Sequence, residues 1–225
     1  VNDTARSIFA EAIGSFFLFA TVVGSGIMAE SLAGGNVAVA LLGNTLATGA
    51  ILFVLITMLG PISGAHFNPA VSLVMWLRKD LGASLFAAYF AAQLLGGIAG
   101  IWTAHLMFEQ PVLQLSEKAR SGSGQWIGEF VATFGLLFTI LGTLRWRETA
   151  VPASVALYIT AAYWFTSSTS FANPAITVAR SLSNSFAGIA PADAPAFIAA
   201  QLAGAIAALL FGNLLFGAGR SAISS

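Results

Sequence analysis

Two asparagines frame the chemistry available to this 225-residue chain. Asn68 and Asn173 open the same tripeptide, Asn68-Pro69-Ala70 and Asn173-Pro174-Ala175. Asparagine is a strong helix N-cap, and proline suits the first helical position because its missing N–H would find no partner there. Each tripeptide therefore predicts a helix start. A helix start carries about half a positive charge, and an asparagine amide holds two hydrogen-bond donors. Two such ends aimed at one point, at ~5 Å and an effective dielectric of ~20, would repel a unit cation by ~3 kcal/mol. A neutral solute meets no such barrier, and the two amides can orient a passing oxygen and interrupt a proton-relaying water chain. That is the chemistry of selection, without bond making.

The other polar residues in apolar surroundings are few. Glu11 and Glu129 are acids inside long apolar runs, Gln93 and Gln201 are amides in two others, and His66 stands two residues before Asn68. Intramembrane acids are costly and normally find partners inside the protein, as structural anchors or as proton-relay groups. His66 reads as a pore-lining or a satisfied core histidine, and His105 as a packing residue. Cysteine is absent, which removes disulfides, thiolate metal sites and a thiol nucleophile. Two histidines are too few for most metal chemistry, and no Ser/His/Asp set or phosphate loop converges. No metal, cofactor or catalytic residue is expected.

These residues need an apolar scaffold. Apolar residues make up 57% of the chain and charged residues 8%, against about 25% charged in an average soluble domain. Mean hydropathy is +0.86. Such a chain cannot coat a soluble globule. Nine basic residues balance nine acidic ones, which leaves no basic patch for nucleic acid. Six stretches approach the ~20 apolar residues of a membrane span: 8–29, 37–59, 81–108, 126–144, 151–165 (short) and 194–219. The first is too long for a cleaved signal peptide. Two shorter apolar pieces, 68–77 and 173–181, are each about half a bilayer long as helix. They follow stretches unsuited to helix, 60–64 and 166–170, and so predict re-entrant half-helices. With the N-terminus inside, Arg6, Arg78, Lys79, Arg145, Arg147 and Arg220 fall on the cytoplasmic side, and Lys118, Arg120 and Arg180 outside. That agrees with the positive-inside rule, and Trp126 and Trp146 fall at opposite ends of one span as interface anchors.

The chain also repeats itself. Glu11-Ala12-Ile13-Gly14-Ser15-Phe16 echoes Glu129-Phe130-Val131-Ala132-Thr133-Phe134, and Ala91-Ala92-Gln93-Leu94 echoes Ala199-Ala200-Gln201-Leu202. The order in each half is acidic span, span, half-helix, glutamine span. Three spans per half make the second half inverted, and inverted repeats place their working elements at the midplane. The expected fold is an all-α membrane protein of six transmembrane helices and two re-entrant half-helices. It forms one domain over 1–225, with repeats at about 1–108 and 122–219. Gly96 and Gly100 form a small-residue face for close helix packing.

The duplicated boxes, with Ser63-Gly64-Ala65-His66-Phe67 before the first, resemble the aquaporin and aquaglyceroporin channels. The resemblance covers essentially the whole chain. It implies a homotetramer with one pore per subunit, in contact with membrane lipid and passing water and small neutral solutes. It implies that Glu11 and Glu129 hold the re-entrant loops, and that His66 lines the cytoplasmic half of the pore. The family's four-residue filter, carried over by ungapped spacing, falls on Thr48, Ala161, Ser170 and Ile176. Most members have an aromatic at the first of these positions and arginine at the last; water-selective members typically have histidine at the second. Here all four are small or apolar, so the expected filter is wide. Arg180 stands one turn after Ile176 and reads either as a residue of the pore mouth or as a headgroup-facing one. This pattern resembles a bacterial subgroup associated with arsenic handling, which implies the inner membrane of a bacterium, and metalloid hydroxides or organoarsenicals among the solutes; the charge distribution puts both termini in the cytoplasm. A water-selective pore and an ion-coupled secondary transporter are the rival readings.

Overall fold

The computed structural model describes residues 3–217. Arg220 and Gly219 lie outside the described residues. Eight α-helices follow in order: α1 (Asp3–Leu32), α2 (Val37–Ser63), α3 (Pro69–Leu77), α4 (Ala83–Met107), α5 (Ser123–Trp146), α6 (Val151–Phe165), α7 (Pro174–Arg180) and α8 (Ala194–Phe216). Five of them, α1, α2, α4, α5 and α8, are long and apolar enough to cross a membrane. The 15 residues of α6 give ~22 Å of helix, short of a full span. A 3₁₀ turn at Glu148–Ala150 extends its start.

Packing follows the repeat. Helix α1 lies against α4 and α2, as α5 lies against α8 and α6; α2 meets α6 between the halves, α3 also touches α8, and α7 touches α4. Backbone approach is closest along the glycines. A Cβ added at Gly96 would overlap the Ala12 carbonyl, one at Gly100 the Phe16 carbonyl, and one at Gly204 the Phe130 carbonyl. Outward-facing positions are apolar, among them Phe9, Phe17, Leu95, Leu157, Leu210 and Leu214. An apolar exterior suits hydrocarbon as solvent, where every backbone group must be satisfied within the helices.

One expectation about helix breaks needs correction. The stretch 60–64 does not break the chain at Pro61: α2 runs through it to Ser63 and ends at Gly64, whose φ is 86°. Pro61 lacks an N–H, yet the next bonds of the helix hold, and the Gly64 N–H donates to the Gly60 carbonyl at 2.9 Å. The irregular segment is therefore only 64–68, and its partner in the second half is 166–173. The two share a backbone shape: φ is 50° at Ala65 and 48° at Phe67, 52° at Ser170 and 48° at Ala172. Left-handed non-glycine residues are uncommon, so a repeated set must be held by its surroundings.

Candidate functional site: a cavity between two half-helices

The holders are the two buried glutamates, neither exposed to solvent. Glu11 Oε1 accepts from the His66 N–H at 2.9 Å and Ser63 Oγ at 2.7 Å, and Oε2 from the Phe67 N–H at 2.7 Å and Gln93 Nε2 at 2.8 Å. Glu129 repeats the arrangement: Oε1 accepts from the Phe171 N–H at 2.8 Å, and Oε2 from the Ala172 N–H at 2.9 Å and Gln201 Nε2 at 2.6 Å. Each carboxylate collects the amides of a left-handed loop, a concave set of N–H groups that suits an anion. Gln93 and Gln201 extend the clamp into the half-helices, donating to Ser72 Oγ at 3.0 Å and Thr177 Oγ1 at 2.8 Å.

The half-helices start where the tripeptides predict. Asn68 Oδ1 accepts from the Ala70 N–H at 2.9 Å, and Asn173 Oδ1 from the N–H groups of Ala175 and Ile176 at 3.0 and 3.2 Å. Their amides then cross between the halves. Asn68 Nδ2 donates to the Ala172 carbonyl at 2.7 Å, and Asn173 Nδ2 to the Phe67 carbonyl at 2.8 Å. This reciprocal pair locks the two helix starts face to face, and each Nδ2 keeps a second proton for other acceptors.

A cavity of about 620 Å³ runs past these caps. At ~30 Å³ per molecule it holds roughly 20 waters. Its α3 end opens among Arg78, Lys79, Asp80, Arg145 and Glu148; its other end reaches Thr48, Tyr163, Ser170, Ile176 and Arg180, and both Asn68 and Asn173 line it between. His66 lines it as well. Its Nδ1 lies 3.0 Å from Ser72 Oγ. That hydroxyl already accepts from Gln93 Nε2, so its own proton is free for Nδ1, and a neutral His66 carries its proton on Nε2 as a donor.

Of the four positions carried over by spacing, Thr48, Ser170 and Ile176 line the cavity, each 5% exposed or less. Ala161 does not: it lies on the exposed face of α6. The cavity face of that helix is Val151, Val155, Ile159 and Tyr163, spaced by four. Ala161 is two residues from Tyr163, about 200° around the helix. The rotation of α6 is set by its contact with α2, where Thr45 Oγ1 donates to the Thr160 carbonyl at 2.9 Å and Gly49 leaves room for Thr160 Oγ1. Tyr163 thus stands where Ala161 was expected, its hydroxyl 3.3 Å from Thr48 Oγ1. The Val-Val-Ile-Tyr spacing was the available signal.

Arg180 is 2% exposed and lines the cavity, so it is not a headgroup-facing residue. Arg120, expected as a loop charge on the outside, is 7% exposed and was missed; nothing in the local pattern marks it. Burial lowers its pKa to about 10, with Glu129 and Tyr163 opposing, and it stays charged at neutral pH. Lys118, lowered to about 8 by burial first and by Arg120 and Arg180 next, donates from Nζ to the Phe186 carbonyl at 2.6 Å. His105 is fully buried between loops, Nδ1 at 3.1 Å from the Val112 carbonyl and Nε2 at 3.0 Å from Ser183 Oγ. A carbonyl only accepts, so Nδ1 carries the proton there.

Comparison with known proteins agrees with this construction. Residues 2–170 match the Major intrinsic protein family, a match that ends before the second tripeptide. The chain is 58% identical over 207 residues to "Aquaglyceroporin AqpS" of Rhizobium meliloti (strain 1021), covering 92% of this chain and 88% of that protein. It is 32% identical over 139 residues to "Nodulin-26" of Glycine max, 61% of this chain and 50% of that protein. Its fold superposes on the X-ray structure of the aquaglyceroporin from Plasmodium falciparum with a TM-score of 0.72 at 20% identity, covering 94% and 96% of the two chains. Inverted, glutamate-held half-helices capped against each other over a continuous cavity, together with these matches, make the chain a member of the major intrinsic protein family of membrane channels.

Proposed function

We propose that the protein is a passive channel for water and small neutral solutes of glycerol size and somewhat larger, metalloid hydroxides and organoarsenicals among them. The supporting observation is the lining of the cavity beyond the caps. Where the family resemblance implies arginine, directly after the second tripeptide, Ile176 lines the cavity, and Thr48 and Ser170 are small. The filter is Thr48, Tyr163, Ser170 and Ile176, with His66 on the α3 side and Arg180 at the far end. The two Asn-Pro-Ala caps supply the cation barrier, and Glu11, Glu129, Gln93 and Gln201 hold them. The domain spans 1–225 as two inverted repeats. The chain works as a homotetramer in a bacterial inner membrane with both termini cytoplasmic. It catalyses no reaction.

A water-selective reading has one observation in its favour: the Tyr163 hydroxyl closes to 3.3 Å from Thr48 Oγ1. Stopped-flow swelling of proteoliposomes with water, glycerol, a sugar alcohol and neutral arsenite separates the two. Protein-dependent flux of glycerol and the sugar alcohol is expected. Water flux alone would favour the narrower pore.

A further inference from the structure

Phe171 stands two residues before the second capping asparagine and is 5% exposed. Its N–H donates to Glu129 Oε1 at 2.8 Å, and its ring packs on the fully buried Phe197, with centroids 5.2 Å apart at 73°. The ring is thus fixed through its own backbone and by α8. Two guanidinium groups lie over it. The Arg180 Cζ is 3.3 Å from its centroid and the Arg120 Cζ 4.8 Å. Among the described residues the salt bridges are Arg6–Asp3 and Arg78–Asp80, so neither buried arginine is in one. Two like charges therefore share one ring, and the negative potential of its π-face offsets their repulsion.

The two arginines are not held equally. Arg120 Nε donates to the Gly188 carbonyl at 2.8 Å, and its Nη1 to the Ser168 carbonyl at 3.1 Å. Arg180 Nε donates to the Ala187 carbonyl, and among the described residues its two Nη groups make no hydrogen bond. Arg180 is also the one of the two that lines the cavity. Its fork can turn about that single bond, and a helical side chain leans toward the preceding turn, here that of Ile176. The Phe171 ring is what remains to hold it. The first half uses the same two positions. His66 stands two before Asn68 and Met75 seven after it, as Phe171 and Arg180 stand about Asn173, and all four line the cavity. Only in the second half is the later position a permanent cation.

We infer that Phe171 is a positioning residue of the pore: its π-face holds the Arg180 guanidinium against the wall and out of the solute path. Weakening that face at constant shape frees Arg180. Repulsion from the better anchored Arg120 then drives it toward the cavity, where it narrows the pore. The inference rests on the channel reading but not on the wider solute range proposed above, because water flux alone reads it.

The test replaces Phe171 in the full chain by mono-, di- and trifluorinated phenylalanine, introduced by nonsense suppression. Fluorine draws density from the ring face and hardly changes its shape, so a role in packing alone is left intact. Water permeability per reconstituted protein, from stopped-flow shrinkage of proteoliposomes, is expected to fall stepwise along the series, by about threefold at the trifluorinated ring. In an Arg180→Met background the same series is expected to be flat, because no guanidinium is left to release. Arg180→Gln is a second neutral background should Arg180→Met fail to fold. Equal permeability across the series in folded protein would overturn the inference. So would a fall that persists in the neutral backgrounds, which would assign the effect to Arg120 or to packing. An absence of water flux in the unmodified protein would remove the channel reading and this inference with it.

Discussion

Ile176 lines the cavity beside Thr48, Tyr163 and Ser170, and in the proposed filter it brings no charge. Replacing it by arginine would add a permanent charge and up to five donors beside Thr48, Tyr163 and Ser170. Ile176→Arg is expected to lower the ratio of sugar-alcohol to water permeability by about tenfold or more, since a long side chain obstructs large solutes first. The same stopped-flow traces give the ratio in both proteins. An unchanged ratio in a folded variant would remove Ile176 from the filter. Tyr163 gives the opposite test. Tyr163→Ala deletes the hydroxyl that meets Thr48 and should raise sugar-alcohol flux. Ala161→Phe, on the exposed face of α6, should leave selectivity unchanged. Spacing along the chain places some of these residues and not others. Ile176 is reached by counting along α7, because a short helix transmits spacing faithfully; Ser170 lies in the loop just before the cap, and Thr48, like Ala161, is reached only across an irregular segment. Ala161 was reached by counting back through the irregular segment before Asn173, where residue count does not fix helix rotation. Arg120 lies in a loop, where no periodicity exists, and only the fold brings it under Phe171.

The two half-helices are the elements most legible in the chain. A cap, a proline and a short apolar run have one local meaning, and their duplication gave them a partner. Their boundaries agree with Asn68 and Asn173 as caps. What the pattern could not supply is the cross-bonding of the two amides to the opposite loop, which needs both halves assembled. Asn68→Asp tests that arrangement. The carboxylate keeps the cap acceptor but loses the donor to the Ala172 carbonyl, and its charge exceeds the ~+0.5 of the helix end it caps. Monovalent cation leak, measured by a fluorescent sodium assay in vesicles, should rise severalfold while water flux persists. The glutamate clamp predicts a stability effect. Glu11→Ala strands two loop amides and Gln93 Nε2 in the interior, at about 1–3 kcal/mol per unsatisfied group, and should abolish recovery of folded protein. Glu11→Gln should be milder, since one oxygen still accepts. The glycine face of α4 was legible as small-residue spacing, and Gly96→Leu should prevent α1 and α4 from docking, because the first added carbon meets the Ala12 carbonyl. Helix α2 ran past the proline that the sequence suggested would stop it. The left-handed Gly64 is the actual terminator.

At the scale of the molecule, the two halves meet through α2 and α6, through α3 with α8, and through α4 with α7, around a cavity that neither half encloses alone. A chain without cysteine offers no thiolate to mercury. Mercuric salts should therefore leave flux in a purified system intact, while Ser170→Cys should confer block, read as the loss of swelling rate on mercury addition and its return with a thiol reductant. In the proposed function the opposed half-helices form a pore and not an ion-coupled site. Its most direct test is the initial rate of glycerol entry into proteoliposomes, with proton and sodium gradients first imposed in either direction and then collapsed with ionophores. A pore gives one rate under all these conditions, linear in the glycerol gradient and without saturation. A rate that saturates, follows the direction of an imposed ion gradient, or disappears when that gradient is collapsed would contradict it.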